Sequence, residues 1–152
     1  MPDTILAYDL GTGGNKASLY DADGRCLAAV FVPYETQYPR AGWHEQRPSD
    51  WWNSVVQSTR ELLASDAVDA QSIVALAISG HSLGCVPLDA AGRVLRNATP
   101  IWSDKRPIAQ AERFFERVDS EKWYRMTGNG FPPPHYTAFK IQWYRDHEPE
   151  FP

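Results

Sequence analysis

The apolar and polar positions at the start of the chain read as β structure. Residues 4–8 form a short apolar run closed by Asp9, the pattern of a buried strand. A tight glycine-bearing turn, Leu10-Gly11-Thr12-Gly13-Gly14-Asn15, leads into a second strand candidate at 16–20. Asp21-Ala22-Asp23-Gly24-Arg25 is a turn signal, and residues 26–34 form a third strand. Three strands joined by two short turns predict an antiparallel meander. A Pro- and Gly-bearing loop covers 33–48. A helix then starts at Pro48-Ser49-Asp50-Trp51, with Trp52, Val55, Val56, Thr59, Leu62 and Leu63 at helical spacing. The unbroken apolar run 73–78 suggests a strand buried on both faces, and 84–88 another strand.

The second half reads as helices and turns. Asp89-Ala90-Ala91-Gly92-Arg93 turns the chain and echoes the segment at Asp21 as D-A-x-G-R-x-L; two similar hairpin turns account for that echo. Pro107 suits the first turn of a helix over 108–118, and Ser120 suits the cap of a second over 120–126. A rigid loop is expected at 128–134. A last helix follows at 136–147, with Phe139, Trp143 and Tyr144 on one face, and the chain stops soon after it, which suggests truncation.

Composition narrows the function classes. The chain has 152 residues, is 43% hydrophobic and 22% charged, and so has the makeup of a globular domain. A net charge of -4 with scattered basic residues argues against nucleic-acid binding, which needs a concentrated basic face. No apolar run approaches the ~20 residues of a membrane span, and the first residues show no basic and apolar leader; a cytoplasmic protein is the default expectation. Cys26 and Cys85 make neither a zinc spacing nor a disulfide framework.

The candidate chemistry sits in the first turn. Glycines let backbone N–H groups approach an anion closely. Thr12 adds a hydroxyl donor, Asn15 a side-chain amide, and Lys16 a mobile positive charge. Asp9 at the end of the preceding strand can hold Mg²⁺ through waters, because Mg²⁺ dehydrates reluctantly. The spacing is not that of a P-loop, and it fails the dinucleotide fingerprint because Lys16 stands at the third glycine position and a strand follows. Asp9, Gly11, Thr12, Asn15 and Lys16 are therefore the candidate phosphate and cofactor residues, with Asp9 the metal candidate. A Gly-rich hairpin with no ligand is the bland alternative.

Five segments, in order, resemble the FGGY carbohydrate kinase family. Asp9-Leu10-Gly11-Thr12 with Lys16 resembles its first phosphate motif. Gly42-Trp43-His44-Glu45-Gln46-Arg47-Pro48 with Trp51-Trp52 is similar to G-W-x-E-Q-x-P…W-W. Ser79-Gly80-His81-Ser82-Leu83-Gly84 with Leu88-Asp89 resembles S-G-Q-M-H-G…L-D, and Trp102-Ser103-Asp104-Lys105-Arg106 resembles W-N-D-x-R. Lys140-Ile141-Gln142-Trp143 with Glu148-Pro149-Glu150 is similar to K-L-x-W…E-P-E. The resemblance covers essentially the whole chain.

It implies an α/β fold of the ribonuclease H-like/actin-like ATPase class: the meander plus parallel strands with flanking helices, here incomplete. Residues 1–152 would be the N-terminal part of the first, sugar-binding domain, with the second domain absent from this chain. The implied activity is ATP- and Mg²⁺-dependent phosphorylation of a sugar or polyol hydroxyl, with a pentulose-like substrate. No catalytic residue is assigned; the aspartate base is expected beyond Pro152, and the isolated fragment is expected to be inactive.

The resemblance also implies sugar-side residues: His81, Ser82, Leu83, Asp104, Arg106 and His135. Leu83 stands where the family has a histidine, which puts xylulose itself in doubt. Each has a plainer role. Asp104 could cap the helix near Pro107, Arg106 could be solvated, His81 and His135 could be structural, and Glu45 could pair with an arginine. The tryptophans at 43, 51, 52, 102 and 143 suit core or cleft-wall packing. The expected partner is the substrate, with no nucleic acid and no membrane; a homodimer is compatible. The competing function is a non-catalytic sugar-sensing or scaffold module. A third class, an ATPase driving conformational work, is disfavoured by the sugar-side segments.

Overall fold

A computed structural model describes residues 3–66, 68–130 and 132–148. In chain order the elements are strands β1 (Thr4–Leu10), β2 (Gly14–Asp21), β3 (Cys26–Pro33) and β4 (Glu45–Gln46), helix α1 (Pro48–Leu63), β5 (Ile73–Ser79), β6 (Thr99–Pro100), and helices α2 (Ile108–Phe115), α3 (Ser120–Thr127) and α4 (Thr137–His147). Two compact units form. One joins the segments up to Thr36 and Arg47–His81; the other joins Gln37–Gln46 to the chain from Ser82 onward. Phe131, within the expected 128–134 loop, and Pro149, Glu150, Phe151 and Pro152 lie outside the described residues.

The first unit is a four-stranded sheet in the order β3-β2-β1-β5. β1, β2 and β3 form the expected antiparallel meander, and β5 joins β1 in parallel. Leu6, Tyr8, Ala17 and Leu19 point from one face into a core closed by Leu62 of α1. The buried stripe of α1 differs from the expected one. It runs through Ser54, Ser58 and Leu62, spaced by four, whereas Trp52 and Leu63 are exposed. Small serines let the helix approach the sheet. Their hydroxyls are satisfied by bonding back to Trp51 O (2.7 Å) and Val55 O (3.1 Å).

The strand over 73–78 exists, but its expected burial on both faces is not observed. Val74, Leu76 and Ile78 are 61%, 67% and 66% exposed. β5 lies at the edge of the sheet, at the far end from β2 and β3, the strands on which α1 packs. An unbroken apolar run identifies a strand that suits burial without saying what covers it.

The second unit builds around α2, α4 and the turn Pro133–His135. Ala111, Tyr136 and Phe139 form its apolar centre, with Leu83, Phe114, Phe115 and Trp123 packed against them. The expected strand at 84–88 is absent; one isolated bridge joins Leu88 to Val94. The cap of α3 is Asp119, whose carboxylate accepts from Lys122 N at 2.7 Å, and Ser120 is the first helical residue.

The sequence echo proves to be one turn used twice. Asp21 Oδ1 accepts from Asp23 N and Arg25 N, and Asp89 Oδ1 accepts from Ala91 N and Arg93 N. Gly24 and Gly92 sit at φ 80° and 78°, a left-handed conformation that favours glycine.

Candidate functional site

The first unit presents an open glycine-bearing turn at one end of its sheet. β1 and β5 are parallel, so their C-terminal ends emerge together, with Asp9 beside Ser79 in register. Open α/β sheets bind ligands outside the carboxyl ends of such strands. The turn over residues 11–13 leaves from this end, and Ser79-Gly80-His81 leaves beside it.

The turn is held from below. Gly11 N donates to Gly14 O (3.0 Å), Tyr34 N donates to Gly13 O (3.4 Å), and the Tyr34 hydroxyl donates to Gly11 O (2.6 Å). Burial and then the negative charge of Asp9 push the Tyr34 phenol up to about 12, so it stays a donor at neutral pH. Gly14 is required by close approach: a Cβ there would meet Phe31 Cζ at 2.5 Å and the backbone Val32 O at 2.6 Å. Nothing lies within 4 Å of the corresponding point at Gly13, so the tip is open.

Asp9 and Lys16 are directly opposite in the β1–β2 ladder, so their side chains share a face. Both are exposed, and among the described residues neither is in an ion pair. Thr12 is exposed at the tip. Asn15 differs from expectation. It has no exposed surface, and its Nδ2 donates to Ser58 Oγ at 2.9 Å. Strand alternation turns it towards α1, on the opposite face from Asp9 and Lys16, so its side chain braces the turn and does not reach outward. His81, just past β5, is half-buried with its ring edge-on to Trp51 at 5.6 Å, and among the described residues its buried Nε2 has no hydrogen-bond partner.

In the second unit, Asp104 and Arg106 are not the sugar contacts expected of them. Asp104 is 0% exposed and the Arg106 side chain is likewise fully buried. Asp104 accepts from His44 N (2.7 Å), Arg106 N (3.0 Å), Arg106 Nε (2.9 Å) and Arg106 Nη2 (2.8 Å). Arg106 Nη2 also donates to Glu45 Oε1 at 2.7 Å, and its guanidinium lies 3.9 Å from the Trp43 ring centroid and 5.0 Å from that of Trp143. Burial works against the guanidinium charge, but hydrogen bonds and attraction from Asp104, then Glu45, outweigh it and hold its pKa above the usual value. The expected arginine partner of Glu45 is thus found. The W-x-D-x-R residues form a buried knot because a carboxylate and a guanidinium two residues apart satisfy each other before any ligand can.

That knot sets the loop bearing Trp102. The indole is 36% exposed and stacks on His135 at 6.3 Å and 25°. His135 is buried, and its Nδ1 donates to Trp102 O at 2.9 Å, which fixes that tautomer. Leu83 is half-buried and packs against the apolar centre, with its backbone at φ 61°. Ser82 beside it is exposed. Three contributors were missed from sequence. Tyr34 carried no motif, Trp102 read as packing, and Lys140 read only as part of a helix signature. Among the described residues no group of three or more His, Cys, Asp or Glu side chains could hold a metal, and Cys26 and Cys85 are free. Among the same residues no helix is long and apolar enough to cross a membrane.

The family model for the N-terminal domain of the FGGY family of carbohydrate kinases matches residues 4–151. The chain belongs to the FGGY family. It is 33% identical over 150 residues to a xylulose kinase of Bacillus subtilis, covering 96% of this chain and 29% of that protein. It is 30% identical over 146 residues to a glycerol kinase of Methylibium petroleiphilum, covering 95% of this chain and 29% of that protein. The crystal structure of a xyloylose kinase from Brucella ovis superposes with a TM-score of 0.85 at 29% identity, covering 97% of this chain and 30% of that one. The fold is thus the ribonuclease H-like/actin-like ATPase fold of these kinases. The FGGY chain spans about three-tenths of the length of the relatives it matches.

Proposed function

We propose that the protein to which this chain belongs transfers the γ-phosphoryl group of ATP to a hydroxyl of a sugar or polyol. In this reading residues 1–152 supply the phosphate hairpin and part of the sugar side, and the remaining length supplies the adenine side and the general base. The observation that carries it is the β1–β2 hairpin of a family member: an open glycine tip with an exposed carboxylate and ammonium opposite each other on one face.

The donor set fits Mg²⁺ and phosphate. Bound MgATP supplies the phosphoryl group and the metal charge. Asp9 would hold the metal through its waters, a hard carboxylate for a hard cation. Lys16 places a mobile positive charge beside the phosphates, while Gly11, Thr12 and Gly13 let backbone and hydroxyl donors approach. Tyr34 and buried Asn15 keep that tip fixed, so its donors need no rearrangement when charge develops. Phosphoryl transfer asks mainly for positioning and charge stabilisation, which such a hairpin provides.

On the sugar side, Ser82 offers a hydroxyl, and the exposed Trp102 ring offers an apolar face for C–H groups, backed by His135. Asp104 and Arg106 act behind Trp102. The base is not Asp104, whose two oxygens are occupied by His44 and Arg106. Relatives named for both xylulose and glycerol support the coarse substrate class, a polyhydroxylated carbon chain; with leucine at position 83, we do not read the site as specific for xylulose.

The test is ADP release by the full-length protein with a panel of pentuloses, hexuloses and polyols including xylulose and glycerol. Turnover with at least one is expected. No release above background with any of them would overturn the kinase reading. Sugar binding by calorimetry without turnover would instead favour a sensing module.

A further inference from the structure

α4 carries a row of hydrogen-bond donors on one face. Thr137 Oγ1 donates to Gly84 O (3.2 Å), Lys140 Nζ to Leu83 O (2.8 Å), and the Tyr144 hydroxyl to Cys85 O (3.3 Å). Positions 137, 140 and 144 lie at i, i+3 and i+7, one stripe of a helix. Three consecutive carbonyls of the 83–85 segment are therefore met by side chains of α4. That explains why this stretch is ordered without being a strand.

Lys140 does more than its neighbours. Its Nζ also donates to His135 O at 2.6 Å, so one ammonium joins two loops distant in sequence. Both are loops whose residues the proposed site uses: Ser82 beside Leu83, and His135 against Trp102. Leu83 is the one non-glycine among the described residues with positive φ, at 61°. Such a conformation persists only where its surroundings over-determine it.

We infer that Lys140 is a positioning residue, whose ammonium clamps the loops of Leu83 and His135 together and thereby sets sugar recognition by the proposed site. This rests on the sugar-side reading given above. Several features argue that the lysine is kept for its donors and not as filler. It is 0% exposed in the middle of an otherwise apolar face of Phe139, Trp143 and Tyr144. Burial pulls it down to about 8, Asp104 and Cys85 favour its charge, and Arg106 opposes it. A methionine would fill the same volume without that penalty but would leave two carbonyls without their donor.

The experiment uses the full-length protein with Lys140→Met and Lys140→Arg. It measures KM for whichever acceptor of the pentulose, hexulose and polyol panel the wild type turns over, KM for ATP, and amide hydrogen exchange across residues 82–86 and 133–138. For Lys140→Met, sugar KM is expected to rise about tenfold to a hundredfold, the cost of leaving buried carbonyls unpaired. ATP KM should stay within about twofold, and exchange should quicken in those two loops above the rest of the chain. Unchanged exchange in both loops overturns the clamp. Sugar and ATP KM moving together, or neither moving, overturns its role in sugar recognition. If Lys140→Met does not fold, Lys140→Arg, which keeps the charge on a bulkier head, is read by the same criteria. If the wild type turns over no acceptor of that panel, the kinase reading fails, while hydrogen exchange still decides the clamp.

Discussion

Replacing Arg106 with methionine separates a buried support from a sugar contact. The substitution keeps an unbranched apolar stem and deletes the guanidinium. Three charge-assisted bonds are lost: Nε to Asp104 at 2.9 Å, Nη2 to Asp104 at 2.8 Å, and Nη2 to Glu45 at 2.7 Å. The stacking over Trp43 at 3.9 Å goes with them. Asp104, 0% exposed, is left with the backbone N–H groups of His44 and Arg106 alone. Breaking a buried pair from one side costs about 3–5 kcal/mol, far more than the ~0–1 kcal/mol of an exposed pair. Urea denaturation of the full-length protein, followed by tryptophan fluorescence, reads the loss. Adding Asp104→Asn should recover at least about 1 kcal/mol, because the asparagine oxygen can still accept from His44 N while the stranded charge is removed. A cost for Arg106→Met below about 1 kcal/mol, or no recovery in the double variant, would refute the buried knot.

Other outcomes follow from the same geometry. Gly14→Ala forces a methyl onto the Val32 carbonyl and should destabilise the protein by about 1–3 kcal/mol in thermal unfolding; Gly13→Ala, with open space around it, should cost far less. Tyr34→Phe removes the bond to Gly11 O, and the measured loss of stability should be about 0.5–1.5 kcal/mol, with ATP KM rising more than sugar KM. Lys140 sits at about 8 when folded, below its ordinary 10.5, so the unfolded chain binds more protons between those values and this group makes stability rise with pH there. The cost of Lys140→Met in urea denaturation should therefore be larger at pH 10 than at pH 7. Purified residues 1–152 should give negligible phosphoryl transfer in an ADP-release assay, lacking the adenine side and base of the proposed enzyme.

Local signals carried much of the fold. The meander follows from alternating strands and Asx-type turns, and the repeated Asp21 and Asp89 turns form through contacts within five residues. What failed depended on partners far away in sequence. The burial of 73–78 turns on which elements pack over its two faces, and α1 packs on β2 and β3. The buried face of α1 uses Ser54 and Ser58, which a hydrophobic pattern discards although their size is what β2 needs. Residues 84–88 look like a strand, yet side chains of α4 take the carbonyls of Gly84 and Cys85.

The candidate site was legible in the same uneven way. Asp9 and Lys16 stand on the outer face of the hairpin, since register alone sets their sides, and Thr12 is exposed at its tip. Asn15 obeys that register too and so faces α1. Asp104 and Arg106 were recognisable as a motif, but sequence cannot tell a carboxylate that meets a ligand from one that an adjacent arginine consumes. Lys140 was legible only as part of the K-L-x-W-like segment, and its role as a buried donor follows only once its carbonyl partners are placed.

The β1–β2 hairpin is proposed to serve the phosphates and metal and not the sugar. Asp9→Asn in the full-length protein, with kcat and the sugar dissociation constant measured on the same preparation, separates the two roles. A fall in kcat on the order of a hundredfold is expected, as for loss of one preorganised electrostatic group, with sugar affinity held within about twofold. A loss of sugar affinity with kcat unchanged would overturn that assignment.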